Sequence, residues 1–555
     1  MFLRILDAVC KLTVAAIRDP IWFLTHLVVS PIAIVRHIIG SFVVTLLCGI
    51  VLSLLYYHGI ARWLHLPLRG PFNIAVSVAV LTFLAVTFIR LLFGPIVAMF
   101  PNYGPSDSHG SARFSTPQEI APLTYHSEGV LIGRDLNSGK LLRSTATTHL
   151  LTMAPTRSGK GVGTVIPNLL LLNRSVICID PKGENTRVTG RARYGFGAVH
   201  ILDPFAISGD PTASYNPFDG LDADSIDIAE DAATLADALV YDEPGTSGDA
   251  HWNEEAKALI TGLIMLIAAC EPPDKRNLAR LRDCLTLAPD AFQDLLHIMQ
   301  ACDDCQGLIR RAANRHLAKS DREAAGVLSS AQRHTHFLDS PRMANVLSKS
   351  DFSFADLKTK TATVFLVLPP DRMNTYSRWL RLMITRSLME LSRSVAGKPA
   401  TPVLYLLDEF AALGHLAPIE RAMGLMAGYG VQLWPILQDI HQLKATYGKS
   451  AGSFMSNVGV LQVFGVNDQD SAKLISDLTG QMTIVWENVS RNPSSEGSGL
   501  SYSEQHVGRA LLTPDEVRNM HSDLQLLFLT GQRPILAGKL RYYDQPEFRG
   551  RCDPP

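Results

Sequence analysis

Cysteine is scarce. Eight cysteines in 555 residues, at Cys10, Cys48, Cys178, Cys270, Cys284, Cys302, Cys305 and Cys552, are too few and too scattered to build a disulfide scaffold. Only Cys302 and Cys305 have a CxxC spacing. No second cluster accompanies them to complete a zinc or redox motif, so ordinary reduced thiols of a cytosolic body are the expectation. An excess of charge of either sign is also missing: 51 Lys and Arg against 52 Asp and Glu give a net charge of -1. Overall basicity therefore identifies no nucleic-acid partner, although a local basic channel remains compatible with this balance. The chain also lacks the paired zinc motifs, homeodomain pattern and basic zipper that read duplex sequence. Its length excludes a single small module, since about 150 residues per domain gives roughly three or four domains.

What is present begins with two long apolar runs. The 25 residues between Arg36 and Arg62 contain no Asp, Glu, Lys or Arg, and include IIGSFVVTLLCGIVLSLLYY over 38–57. At ~1.5 Å per residue, such a stretch spans the ~30 Å hydrocarbon layer as a helix. A second candidate span runs from Phe72 to Phe93, and the turn-rich segment between the two predicts a hairpin. Arg4, Lys11, Arg18 and Arg36 precede the pair, whereas Arg62 and Arg69 lie in its loop, which favours a cytoplasmic N-terminus and a cytoplasmic remainder. Residues 21–35 are apolar but interrupted by His26 and Pro31; they read as interfacial, with a third crossing as the alternative.

From Leu150 the chain reads LLTMAPTRSGKGVGTVIPNLL, a β-like approach, a Gly-rich loop and a helix. Backbone amides over Thr156, Arg157, Ser158, Gly159, Lys160, Gly161 and Val162, together with the Lys160 ammonium, suit nucleotide phosphates. The strict GxxxxGK[ST] pattern is broken twice. Ala154 stands where its first glycine belongs, and Gly161 stands where a magnesium-binding hydroxyl belongs. Downstream, TPVLYLLDEFAALGHL is a hydrophobic strand ending in two carboxylates. Asp408 is suited to hold magnesium and Glu409 to orient or activate a water. Asp180 and Lys182, in RSVICIDPKGE, fall near another strand end, as ligands or as a local ionic turn. Leu524 to Gly538 offers a late strand pair to the same sheet.

Between these motifs, Leu221 to Ala250 carries nine acidic residues and no Lys or Arg, a face that anionic DNA should avoid. Ala/Leu/Arg-rich segments follow, and residues 222–348 read as a helical insertion. Arg372, Arg378, Arg381 and Arg386 on the next helix place positive charge near a nucleotide or DNA, or simply form a solvated face. The expected organisation is a membrane anchor over 1–100, the first part of a nucleotide-binding motor over 101–221, the insertion over 222–348 and the rest of the motor over 349–555.

The ordered set HGSARF at 109–114, APTRSGKGVG at 154–163, DPKGE at 180–184, LLDEF at 406–410 and LLTPDE at 511–516 resembles type IV secretion coupling proteins. The resemblance implies an α/β, RecA-like P-loop ATPase motor with an inserted all-helical domain and an N-terminal transmembrane hairpin at a bacterial inner membrane. It further implies ATP and Mg2+ as ligands, with Lys160, Asp408 and Glu409 at the reaction centre and Gln438 sensing the terminal phosphate or water. Implied partners are inner-membrane components of a secretion channel, a relaxase–DNA complex or protein effectors, direct DNA contact, and five further copies in a hexamer. Two other readings share parts of this pattern: a membrane-anchored DNA translocase, and a nucleotide-gated docking scaffold without turnover.

Overall fold

The computed structural model describes residues 31–63, 70–98, 107–241, 250–393, 399, 401–492 and 499–555. Chain contacts divide it into two units, one of Met1–Ser111 with Thr483–Gly508, the other of Ala112–Met482 with Arg509–Pro555.

In the first unit the apolar runs form helices over Pro31–Leu54, extended by a π-helical turn over Leu55–Ala61, and over Pro71–Ala98. Their stretches long and apolar enough to cross a membrane are His37–Gly59 and Pro71–Ile89, and in each only 6% of the most apolar window is buried within the protein. That exposure separates them from core helices of a soluble domain, because Phe42, Leu46, Leu54, Leu81 and Phe83 would otherwise face water. Polar side chains are paired between the helices: the Tyr56 hydroxyl donates to Asn73, and Tyr57 meets Ser77 at 3.1 Å. Most of the proposed interfacial segment, residues 21–30, lies outside the described residues.

The second unit is built on an eleven-stranded sheet among the described residues. Its strands are β1 (Val130–Arg134), β2 (Leu141–Ser144), β3 (His149–Met153), β4 (Val176–Asp180), β5 (Ala198–Leu202), β6 (Ala362–Val367), β7 (Val403–Leu407), β8 (Val431–Leu437), β9 (Val458–Val463), β12 (Leu524–Leu529) and β13 (Ile535–Gly538). β10 (Gln481–Asn492) and β11 (Gly499–Ala510) form a separate two-stranded sheet, most of which falls in the first unit. The large sheet runs β2-β1-β13-β12-β9-β3-β8-β7-β4-β6-β5. The seven strands from β9 to β5 are parallel, and antiparallel pairing begins at β9 with β12. The late pair foreseen between Leu524 and Gly538 is β12 and β13, antiparallel to each other. β3, β4, β6, β7 and β8 are buried at every residue, as expected for parallel strands covered on both faces.

Between β5 and β6 the described residues form helices and turns, the longest being Ala250–Cys270. Ile228, Leu259, Ile260 and Leu263 from these helices belong to the same buried cluster as Ile177 and Ile179 of β4. The helical segment and the sheet thus share one continuous core.

The arginines after β6 are not the solvated or ligand-facing row that the sequence suggested. Arg381 is buried and donates to the carbonyls of Leu413 and His415, both at 2.7 Å. Arg386 is buried against Tyr215 and pairs with Glu390 at 3.1 Å. Arg378 donates to the Leu239 and Tyr241 carbonyls. Their donors satisfy carbonyls that would otherwise be stranded where the helical segment meets the sheet. Arg372 alone of the four is exposed, 3.1 Å from Asp371.

Candidate active site

β3 and β7 are separated by one strand, β8, and all three point the same way. Met153 pairs with Leu437, and Leu407 pairs with Pro435, so the three strands end at nearly the same level. The residues following them, the 154–163 loop, Asp408-Glu409 and Gln438, therefore emerge on one edge of the sheet, the edge where open α/β sheets bind ligands.

The loop turns tightly after β3. Arg157 and Gly159 both take positive φ, 64° and 93°, on either side of Ser158. Alternation of this kind points successive N–H groups into a concavity suited to anions. A π-helical turn over Gly161–Val165 then leads into the helix Ile166–Leu171. Lys160, at the start of that turn, reaches across to β7. Its Nζ lies 2.9 Å from Asp408 Oδ1 and 2.5 Å from Glu409 Oε1. Burial opposes the charge on Lys160, but the two carboxylates outweigh it and hold its pKa above the ordinary lysine value. Burial pushes Asp408 up, against the pull of Lys160. The ammonium contacts both carboxylates and offsets the charge of the buried one. Glu409 itself has φ 53°, a left-handed conformation that is costly for a non-glycine residue and that turns the chain sharply at the strand end.

A cavity of about 310 Å³ opens beside these groups, lined by Lys160, Gly161, Asp408 and Glu409 together with Asp180, Lys182 and Glu184. Asp180 ends β4, next to β7, and accepts from the Thr186 N–H and hydroxyl, both at 2.8 Å. Burial raises it nonetheless. The polar turn at 180–184 thus shares the cavity with the lysine and the acidic pair.

The remaining loop residues sit around this centre. Thr156 Oγ1 donates to Gln438 Oε1 at 3.3 Å, joining the loop to the end of β8. Arg157 is exposed. Val162 packs its side chain among Leu131, Ile166 and neighbours, leaving its backbone for the loop. The three hydroxyls near the glycine at 161 are in different states. Thr164 is buried and committed to Gln462 at 3.0 Å, Thr156 is held by Gln438, and Ser158 Oγ is buried with no hydrogen-bond partner. An orphaned buried hydroxyl within the anion-cradling turn, and an ammonium with two carboxylates lining the adjoining cavity, fit a phosphate ligand with its divalent cation.

Lys539 is a residue that the sequence reading missed. It follows β13, and its Nζ donates to the carbonyls of Ser158 at 3.2 Å and Phe464 at 2.8 Å, with the Phe464 ring 4.7 Å away. Burial pulls its pKa down to about 8. A lone lysine after a short apolar strand carries no sequence signal; only the sheet order brings β13's end to the loop.

Comparison with known proteins agrees with this geometry. The sequence model of a family described as Type IV secretory system Conjugative DNA transfer matches residues 116–555. The conjugal transfer protein TraG of Escherichia coli is 30% identical over 450 residues, covering 75% of this chain and 70% of TraG. VirD4 of Agrobacterium fabrum is 27% identical over 511 residues, covering 88% of this chain and 73% of VirD4. Among solved structures, the conjugative coupling protein TrwB lacking its N-terminal segment superposes with a TM-score of 0.61 at 19% identity, over 77% of this chain and 92% of that one. Other structures of TrwB contain an ATP analogue or ADP with Mg2+. Resting on the family match over 116–555 and on the RecA-like sheet with its apolar N-terminal helices, the conclusion is that this chain belongs to the type IV secretion conjugative DNA transfer family, as one of its coupling proteins.

Proposed function

We propose that this chain hydrolyses ATP in the cleft between the 154–163 loop and Asp408-Glu409, and uses that reaction to deliver cargo into a secretion channel at the bacterial inner membrane. The observation that carries this reading is the convergence of Lys160, Asp408 and Glu409 at the aligned ends of β3 and β7, beside a cavity lined by further polar groups. The nucleotide complexes of TrwB support the choice of ligand. Loop amides from Thr156 to Val162 bind the phosphates, and Lys160 leaves its carboxylates to neutralise the β/γ oxygens. A Mg2+ held by Asp408 would draw charge from those oxygens, with Ser158 as the hydroxyl available to it. Glu409, released from Lys160, accepts the proton of the attacking water. Gln438 reports the occupied state to the loop through Thr156.

The segment over 222–348 is taken as the cargo-facing insertion, with its acidic entry exposed at Asp222, Asp224, Asp227 and Glu230. Both termini and the motor are assigned to the cytoplasm, and six copies to the working ring. Cargo is a relaxase–DNA complex, a protein effector, or both. The test is crosslinking in membranes with mass spectrometry of captured neighbours. Channel components and a transported protein are expected, with cargo capture reduced by charge reversal at Asp222, Asp224 and Glu230. Deletion of the segment is a poor test, because its core is shared with β4. Recovery of DNA alone, without channel contacts, would favour a general DNA pump.

An ideal Cβ on Gly161 meets nothing within 4 Å, so Gly161→Thr fits and adds the missing hydroxyl. Mg2+-dependent ADP affinity is expected to rise by about tenfold, ~1.4 kcal/mol, in titrations with and without the metal. An equal affinity would mean that the hydroxyl is already supplied. Lys539 has a pKa near 8, below that of a free lysine. As pH rises through about 8 it loses its charge beside the loop, so ATP-analogue affinity should fall between pH 7 and 9, and Lys539→Met should abolish that inflection. Folding stability runs the other way. The unfolded chain keeps this proton to a pH of about 10.4, so the cost of burying the charge is present below pH 8 and is relieved as pH rises above it.

A further inference from the structure

Two of the cysteines, both in the segment between β5 and β6, form a donor set with a carboxylate. Cys270 is the last residue of the helix Ala250–Cys270, and Cys302 caps the C-terminus of the helix Pro289–Ala301. Their sulfurs are 3.8 Å apart, and Asp304 Oδ2 lies 3.7 Å from the first and 3.6 Å from the second. A tetrahedral zinc with Zn–S of ~2.3 Å and Zn–O of ~2.0–2.2 Å requires S···S edges of about 3.8 Å and S···O edges of about 3.5–3.7 Å. The three donors thus occupy one face of such a tetrahedron as they stand. The setting also favours a cation, because two helix C-termini converge there with their unsatisfied carbonyls and partial negative charge.

From this geometry we infer that Cys270, Cys302 and Asp304 form a binding site for a soft divalent cation of the zinc class, which staples two helix ends in the segment between β5 and β6. Cys305 is the CxxC neighbour of Cys302 in the sequence. The thiol that meets Cys302 comes instead from 32 residues upstream, and Cys305 is buried. On binding, each thiol releases one proton to solvent as its sulfur joins the metal, the carboxylate donates a third bond, and one vertex remains for water. The cation changes no oxidation state. The inference does not depend on the ATP site.

The test uses the full chain in detergent, reduced and stripped of metal, then titrated with Zn2+ alone against a chromogenic chelator. One equivalent per chain is expected, lost in the Cys270→Ser/Cys302→Ser double variant and kept in Cys552→Ser. On the wild-type protein, Zn2+ should slow alkylation of Cys270 and Cys302 by at least about tenfold, read peptide by peptide, while Cys48 reacts as before. Co2+ should give sulfur-to-metal charge-transfer absorption. Alkylation of Cys270 and Cys302 at the same rate with and without Zn2+ would overturn the inference. So would a disulfide mapped between them in the reduced preparation. The alkylation measurement needs no variant, so a misfolded double variant leaves the inference open to refutation.

Discussion

Glu409→Gln is expected to lower ATP turnover by about 10²–10⁴-fold, the usual contribution of a general base, while ATP is still bound. The glutamine keeps the shape of the side chain and its left-handed position at the end of β7 but cannot take a proton from water. Binding should tighten rather than weaken. Glu409 holds Lys160 at 2.5 Å before nucleotide arrives, and removing that charge frees the ammonium for phosphate. The gain should be about 2–5-fold, because Glu409 is one-third exposed and solvent screens the pair. Turnover and equilibrium binding on the same preparation separate the two effects; loss of binding along with turnover would remove Glu409 from the role of base.

Lys160→Ala is expected to act on both the nucleotide and the fold. Turnover should fall by about 10²–10³-fold through loss of charge stabilisation at the phosphates, and affinity should fall with it. The variant also strips Asp408 of its counter-ion. Breaking a fully buried pair costs ~3–5 kcal/mol, and about 2 kcal/mol is expected here because water reaches Glu409 and Asp408 can take up a proton. The pH dependence follows from the same group. Burial already holds Asp408 above the usual carboxylate range, and without Lys160 nothing opposes it. The folded variant then binds a proton more readily than the unfolded chain, so its stability declines as pH rises. The deficit in thermal stability relative to wild type should be larger at pH 8 than at pH 5.5. A deficit that is flat with pH would mean that Asp408 does not depend on Lys160.

Much of this arrangement could be read from the sequence, because certain residues carry their physics locally. A charge-free run of 25 residues has few fates other than a membrane helix. A Gly-rich turn between a buried strand and a helix, and two carboxylates ending an apolar strand, each announce a strand-end site. β8 was harder to see. Pro435 lies within it, paired with Leu407, and a proline ordinarily argues against a central strand. Without β8, nothing in the residues alone explains why Gln438 comes to the loop. Arg378, Arg381 and Arg386 illustrate the opposite failure. Their spacing on a helix is compatible with a charged outer face, and only the packing of that helix against the helical segment shows them serving carbonyls. The strands β10 and β11 lie within the 349–555 assigned to the motor, and most of their residues fall in the unit that contains the membrane helices. Lys539 and the Cys270–Cys302 pair depend on contacts hundreds and tens of residues apart, which no local pattern encodes.

In the proposed function, chemical work from ATP is spent on moving cargo. The most direct measurement replaces the native copy with Glu409→Gln at matched expression and membrane assembly, and counts cargo transfer into recipient cells. Transfer should fall at least about 100-fold, in step with the loss of turnover. Transfer at the wild-type level, by an assembled complex whose ATP turnover is abolished, would contradict it.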